Sequence, residues 1–237
     1  MFCFPKTFDE MRMFYIVNSR QRSVPTDLAL HHLQRTITEV GVAGVVPFES
    51  QQRVLAAQSL DIVKILNTEP TSPWLGRVQF PNEPKGPNHV IKERPLADSI
   101  GFILKDYTVT KQKTIRNNPR VLAEPLIDYW NALKDIFPDA FANPQEYAIQ
   151  KSTGAYSLHM IFPRVFSSIE SLDEKKWKDK MKEVLSSMFR DVVASTGFTN
   201  DSEFWNKKTG YPLAMGTSMK LMKALASLFL DNIPESD

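Results

Sequence analysis

The spacing of apolar positions predicts helices in the first third of the chain. Three amphipathic segments follow one another there: FDEMRMFYIVN, TDLALHHLQRTITEV and FESQQRVLAAQSLDIVKILN. Thr7 and Glu10 form a capping box ahead of the first, and Pro25 precedes the second. Gly41 follows the second and is expected to end it.

The helical spacing of apolar positions is interrupted at TSPWLGRVQFPNEPKGPNHVIK, where Pro and Gly separate two short runs, GRVQF and HVIK. These runs favour strands joined by a loop. Beyond them, helical spacing returns in PLADSIGFILKDY, PRVLAEPLIDYWNALKDIF, GAYSLHMIFPRVFSSI, DEKKWKDKMKEVLSSMFRDVVAST and TSMKLMKALASLFLDNI. The predicted fold class is therefore mainly α with a small β element (α+β). Two short segments, KSTG and KKTG, echo one another but are too brief to indicate a repeat.

Composition narrows the function classes only a little. The net charge of +2 does not by itself indicate nucleic acid, because only cations clustered on one surface bind phosphates. A single cysteine, Cys3, excludes an internal disulfide and a thiolate metal cluster, which fits a reducing compartment. The start lacks the pattern of a signal peptide, and no apolar run reaches the length of a membrane span. We therefore expect a cytoplasmic protein that has no membrane partner.

The segment FDEMRMFYIVNSRQRSVPTDLALHHL resembles the one that follows the signature motif of DGQHR-domain proteins. That family includes the DNA sulfur-modification protein DndB and is related more distantly to ParB/sulfiredoxin-like folds. The residues that carry the resemblance are Phe14, Val17-Asn18, Gln21-Arg22 and Val24-Pro25. Three further segments match in order: AQSLDIVKILNTEPTSPWLGRVQFPNE, LIDYWNALKDIFPDAF and YAIQKSTGAYSLHMIFPRVF.

The Asp-Gly-Gln-His-Arg signature itself has no room ahead of Thr7. The nearest string, ESQQR at Glu49, lies inside the third helix pattern and lacks both Asp and Gly. The resemblance therefore covers the C-terminal portion of the family. It implies a partial DGQHR-like domain over residues 1–115 and a helical region over 116–237, that is, a helical bundle appended to a partial ParB/sulfiredoxin-like domain.

The resemblance implies a DNA-associated, non-catalytic component of a bacterial or phage DNA-modification or defence system, such as phosphorothioation or restriction-modification. Its expected partners are DNA and a protein partner or a second copy of the chain. One alternative is a fragment of a DGQHR-type ATPase or ParB-like nuclease, whose catalytic loop lies upstream or on another chain. Another is a protein-interaction module, since half a domain leaves apolar surface to cover. We assign no catalytic residue, cofactor or metal ligand.

Two segments supply most of the candidate phosphate ligands. In the NSRQR turn, Asn18, Arg20, Gln21 and Arg22 are expected to face a phosphate backbone or the missing half of the domain. The alternative is that Asn18 caps a helix and the arginines are solvated. Lys111, Lys113 and Arg116 lie in TKQKTIRNNPR, an acid-free polar stretch between two helices, where they are candidate phosphate contacts. The alternative for this stretch is a solvated loop.

Lys151 begins KSTG directly ahead of a predicted helix, where free backbone N–H groups could hold an anion. The alternative is that Ser152 or Thr153 caps that helix. The glycine-rich frame of a P-loop is absent, so no nucleoside triphosphate site is predicted. The four histidines have no metal-ligand spacing. The four tryptophans, spread along the chain, are expected to pack in the core.

Overall fold

The computed structural model describes residues 26–198 and 202–234. Its α-helices, in chain order, are α1 (Thr26–Val40), α2 (Val42–Val45), α3 (Gln51–Thr68), α4 (Glu93–Asp106), α5 (Val109–Asn117), α6 (Arg120–Ile136), α7 (Pro138–Ala142), α8 (Ser152–Ser167), α9 (Trp177–Thr196), α10 (Pro212–Met215) and α11 (Met219–Leu230). The strands are β1 (Val78–Gln79) and β2 (Ile91–Lys92), and single 3-10 turns span Glu174–Lys176 and Glu203–Trp205. The prediction of a mainly α fold with a small β element is confirmed.

The helices α3 and α4 form the most extensive helix pair. Most of α3 is buried, and Gly101 of α4 lies against the backbone of Ala56, which lets the two helices approach closely. Ser50 caps α3 by accepting a hydrogen bond from the Arg53 backbone N–H. The helix α1 packs across α3 and ends at Gly41, whose positive φ of 78° suits glycine.

The second half of the core surrounds α8, which packs on α4 and on α11, while α6 packs against α9. Aromatic side chains fill this region: Phe137 lies edge-on to Phe189 at 4.7 Å between ring centroids. Trp74, Trp130 and Trp205 are wholly buried, and Trp177 packs on Phe166, so the tryptophans lie in or against the core as predicted.

A chain of hydrogen bonds in the core joins α4, α6 and α8 at His159, which is wholly buried. The Trp130 indole N–H, which can only donate, lies 3.0 Å from His159 Nε2. His159 Nδ1 therefore carries the ring proton and donates to Ser99 Oγ at 2.8 Å, and Ser99 in turn donates to the Leu96 carbonyl at 2.7 Å. Every polar atom of the ring has a partner, so this histidine is a satisfied core residue.

The two strands pair in parallel, with Val78 opposite Ile91 and Gln79 opposite Lys92. The Asn67 side chain at the end of α3 accepts a hydrogen bond from the Val78 backbone N–H at 2.9 Å. Residues 80–90 form the loop between the strands. This arrangement holds Arg77 and the loop beside the segment that precedes α8.

Three further sequence expectations concern this part of the chain. The segment around Lys111 is the helix α5 and not a loop; Thr108 caps it by accepting from the Lys111 N–H at 3.2 Å. The expected domain boundary at residues 115 and 116 falls inside α5, and the division stays a prediction. In the described ranges, no helix combines the length and the apolar character needed to cross a membrane.

Candidate anion-binding site

The sequence-predicted phosphate ligands fall into three groups. Asn18, Arg20, Gln21 and Arg22 lie outside the described residues. Lys111, Lys113 and Arg116 lie on α5, and Lys151 lies at the start of α8. Lys151 therefore belongs to a different element from the three cations on α5.

On α5, the three cations do not converge. The Lys111 ammonium lies 2.9 Å from Glu170 Oε2 and 4.3 Å from the centre of the Tyr107 ring, so its charge already has a carboxylate and an aromatic face. Lys113 and Arg116 are three positions apart and share another face, where Lys113 is exposed. A solvated helix surface describes this segment well.

Lys151 is the residue that precedes α8, and neither Ser152 nor Thr153 caps this helix, contrary to the expected alternative. The Thr153 hydroxyl instead donates to the Gly216 carbonyl, which ties the start of α8 to the segment before α11. A Cβ at Gly154 would overlap the Ile149 carbonyl, so only glycine permits this close approach of the backbone. The first helical hydrogen bond runs from the Ala155 N–H to the Lys151 carbonyl at 2.9 Å.

Gln145 connects Lys151 with a second lysine and with the loop between the strands. Its side-chain oxygen accepts from Lys151 Nζ at 3.0 Å, and its backbone carbonyl accepts from Lys207 Nζ. Its side-chain N–H groups donate to the carbonyls of Pro87 and His89, at 3.4 and 3.3 Å. One amide thus brings together parts of the chain that are about sixty residues apart.

Arg77 lies on the other side of this segment, immediately before β1. Its guanidinium donates to the Gln150 side-chain oxygen and, at 3.0 Å, to the Phe141 carbonyl. Gln150 is wholly buried and donates to the Pro73 carbonyl at 3.0 Å, which fixes its orientation. Both partners of the guanidinium are neutral, so its positive charge is oriented but not neutralised.

We call Arg77, Lys85, Lys151 and Lys207 the basic cluster. Among the described residues, none of these four cations forms a salt bridge with a carboxylate. Glu83 contacts His89 at 3.6 Å, and Glu146 lines the adjoining cavity. Over residues 26–198 and 202–234, the basic cluster therefore has an excess of positive charge that no salt bridge balances.

Burial lowers the pKa of two members of the basic cluster, and neighbouring lysines add to the effect at Lys151. Burial, followed by the charges of Lys207 and Lys85, lowers the pKa of Lys151 to about 8. Burial also lowers the pKa of Arg77. Both shifts mean that the charged forms are destabilised in the free protein, and an anion placed here would relieve that cost.

A cavity of about 500 Å³ opens beside the basic cluster. Its lining residues are Leu75, Arg77, Pro87, Asn88, Ala142, Asn143, Pro144, Gln145 and Glu146. Arg77 and Gln145 belong to both the cavity wall and the contacts of the basic cluster. Cations and an open polar cavity therefore lie side by side.

A second cavity, of about 420 Å³, lies between α1, α3 and the start of α4 and is lined in part by His31, Lys64, Phe80 and Glu93. Its buried carboxylate, Glu93, lies 2.7 Å from His31 Nε2. Two carboxylates, Asp61 and Glu93, line this cavity together with Lys64, so the cavity does not share the charge excess of the basic cluster. Within residues 26–198 and 202–234, no group of three or more His, Cys, Asp or Glu side chains could hold a metal ion.

Sequence reasoning identified Lys151 but missed Arg77, Lys85, Lys207 and Gln145. One signal could have found Lys207: the segments KSTG and KKTG both begin with a lysine that reaches Gln145. Both segments also contain a glycine, Gly154 or Gly210, whose Cβ position is occupied by nearby backbone. Each of the two segments thus places a lysine against Gln145 and a glycine against nearby backbone.

Comparison with known proteins gives no relative from which a role for the basic cluster could be taken. No protein-family model matches the chain, and neither a curated protein nor a solved structure matches it. The DGQHR-domain resemblance therefore stays a prediction.

Proposed function

We propose that this chain binds DNA through phosphate contacts at the basic cluster, as a non-catalytic component of a bacterial or phage DNA-modification or defence system in the cytoplasm. The observation that supports the proposal is the grouping of Lys85, Lys151 and Lys207, beside Arg77 on the neighbouring Gln150. Among the described residues, none of the four forms a salt bridge with a carboxylate. Burial and then the charges of Lys207 and Lys85 lower the pKa of Lys151, and phosphate-binding surfaces concentrate cations in this way.

Phosphate oxygens would supply the negative charge that the basic cluster lacks. The Arg77 guanidinium is held by two neutral acceptors, so its orientation is set before an anion arrives. Lys151 and Lys207 are held by the two oxygens of Gln145 and retain further ammonium protons for an anion. The positive end of the α8 dipole lies at Lys151 and adds to the attraction.

The DGQHR resemblance supplies the biological context of this proposal. Under it, the described residues form the C-terminal portion of such a domain, and the region containing the strands belongs to a ParB/sulfiredoxin-like unit that is completed by other sequence. The basic cluster would then act in DNA positioning, because phosphate contacts fix register and carry no base sequence information.

The test is fluorescence anisotropy of the full chain with a labelled DNA duplex over a series of salt concentrations. We expect retention at low salt and a linear fall of log affinity with log salt concentration. The double variant Lys85→Glu/Lys207→Glu changes two exposed cations of the cluster. It should weaken binding by about 10- to 100-fold at low salt and make the salt slope shallower by about two.

Arg190→Glu on α9 is a control at a single position, since it reverses one exposed cation outside the basic cluster. It should change the affinity by less than about twofold. Lys113→Glu/Arg116→Glu should have a smaller effect than the cluster variant, because these cations do not converge. Failure of the unmodified chain to bind duplex at low salt, or equal losses in the cluster and Arg190 variants, would show that the proposal is wrong.

A further inference from the structure

The cavity beside the basic cluster has apolar walls and primary amides in addition to the charged side chains of Arg77 and Glu146. Leu75, Pro87 and Pro144 present apolar surface, and Leu75 is 48% exposed although it is a large aliphatic side chain. Asn88 and Asn143 present primary amides at the same cavity, and one N–H of the Asn143 amide also donates to the Asp139 carbonyl at 3.3 Å. A plain phosphate-binding surface needs neither apolar walls nor amides, so the cavity requires a separate explanation.

A nucleobase combines the matching properties. Its faces are flat and apolar, and its edges carry hydrogen-bond donors and acceptors that primary amides pair with well. Its sugar-linked phosphate would lie a few ångströms from the base, and Arg77 and Gln145 join the cavity directly to the basic cluster. The volume of about 500 Å³ is sufficient for one nucleotide unit, and the cavity is open to solvent.

We propose that the cavity accommodates a single unpaired base of a DNA strand whose phosphates contact the basic cluster. The inference rests on the proposed function and deepens it, because it adds to the phosphate contacts of the basic cluster a place for one unpaired base of the bound DNA. Leu75 and the two prolines contact the face of the base, and Asn88 and Asn143 pair with its edge. Bases inside a duplex are stacked and cannot enter such a cavity.

The experiment compares two labelled single-stranded probes of equal length and equal charge, an oligothymidylate and the corresponding abasic strand. Phosphate contacts are the same for both probes, so any difference in affinity reports base binding. We expect the full chain to bind the oligothymidylate roughly tenfold more tightly than the abasic strand.

Leu75→Ser should lower the affinity for the oligothymidylate toward that for the abasic strand and leave abasic binding unchanged. Leu172→Ser is the matched control, because Leu172 is also a partly exposed leucine, at 38%, and does not line the cavity. It should leave both affinities unchanged. Circular dichroism of both variants should match the unmodified chain, since neither position is in the buried core.

The outcomes separate this inference from the proposed function. Equal binding of both probes, lost in Lys85→Glu/Lys207→Glu, would overturn the base site and leave phosphate binding intact. A base preference that Leu75→Ser does not reduce would also overturn the assignment to this cavity. Absence of binding to both probes and to the duplex would overturn the proposed function as well.

Discussion

Two titratable side chains at α8, His159 within the helix and Lys151 immediately before it, have surroundings that differ in one decisive respect. His159, in the middle of the helix, is wholly buried, and both of its ring nitrogens have neutral partners. Lys151, at the start, is half-buried, and the charges near it are those of other cations. Burial is the leading cause of the lowered pKa in both cases, which falls to about 3 for His159 and to about 8 for Lys151.

The difference distinguishes a polar group whose partners lie within the fold from one whose charge the described residues leave without a carboxylate partner. The hydrogen bonds of His159 favour its neutral form, and both ring nitrogens already have a partner within the fold, so no ligand is needed to satisfy them. Lys151 still carries a charge near pH 7, and its neighbours make that charge less favourable. A lowered pKa therefore does not by itself indicate a functional site, and the sign of the neighbouring charges decides between the two.

The largest expected effect is the loss of stability caused by a substitution at the start of α8. In Gly154→Ala, the new methyl group overlaps the Ile149 carbonyl, so the backbone that positions Lys151 must move. We expect the free energy of unfolding, measured by denaturant titration, to fall by about 3 kcal/mol or more. DNA affinity should fall as well at temperatures where the variant is folded.

Gly101→Ala is the control for this prediction, because its Cβ would meet only ordinary contacts, the nearest at 3.4 Å from the Ala56 nitrogen. The better helix propensity of alanine should offset that contact, so stability should change by less than about 1 kcal/mol. Equal losses in the two variants would mean that the contact with Ile149 has no special importance.

The next effect is the acid sensitivity of the core. The pKa of His159 lies below that of an unfolded histidine, so between about pH 6.5 and about pH 3 the unfolded state binds a proton that the folded state does not. The contribution of His159 to the free energy of unfolding is therefore fully present above that range, and it is lost as pH falls through it. Between about pH 7 and about pH 5, the loss should be about 2 kcal/mol.

His159→Gln isolates this contribution, because an amide can accept from Trp130 and donate to Ser99 but does not titrate. The stability of this variant, measured by denaturant titration at several pH values, should fall less than that of the unmodified chain by about 2 kcal/mol over the same interval. Parallel pH profiles for the two proteins would contradict the assignment of a neutral, fully bonded imidazole.

The smallest effect concerns Lys151. Its pKa of about 8 means that the free protein loses this charge as pH rises past that value, whereas a bound phosphate favours the charged form. DNA affinity measured by anisotropy should therefore fall roughly three- to tenfold between about pH 7 and about pH 9. In Lys151→Arg the guanidinium stays charged, so the affinity should be nearly constant over that range. A fall of equal size in both proteins would exclude Lys151 as its source.

Much of the fold could be predicted because burial and periodicity coincide along the longer helices. In α3, for example, Leu55, Ile62, Val63 and Leu66 recur at helical spacing and are all buried. The helix α5 was missed since Ile115 is its one buried residue, which leaves no apolar stripe to detect. The Thr108 cap was a usable signal there.

The site was less accessible to sequence reasoning. Lys151 stands out because it precedes a predicted helix, but its relation to Arg77, Lys85 and Lys207 depends on contacts between distant parts of the chain. Gln145, which connects two of these lysines, has no local pattern around it that indicates a role. Periodicity describes which face of an element is buried, and it carries no information about which surface groups meet.

The loop at residues 80–90 has a consequence for how such a site can change during evolution. The return from the end of β1 to the start of β2 covers only a few ångströms, because each strand has two residues. The loop is far longer than this return requires, so its length can change without disturbing the pairing of Val78 with Ile91. Lys85 and Asn88 lie in this loop, whereas Arg77, Lys151 and Lys207 lie outside it. Insertions or deletions in the loop could therefore change which anion the proposed site accepts, while Arg77, Lys151 and Lys207 keep their positions.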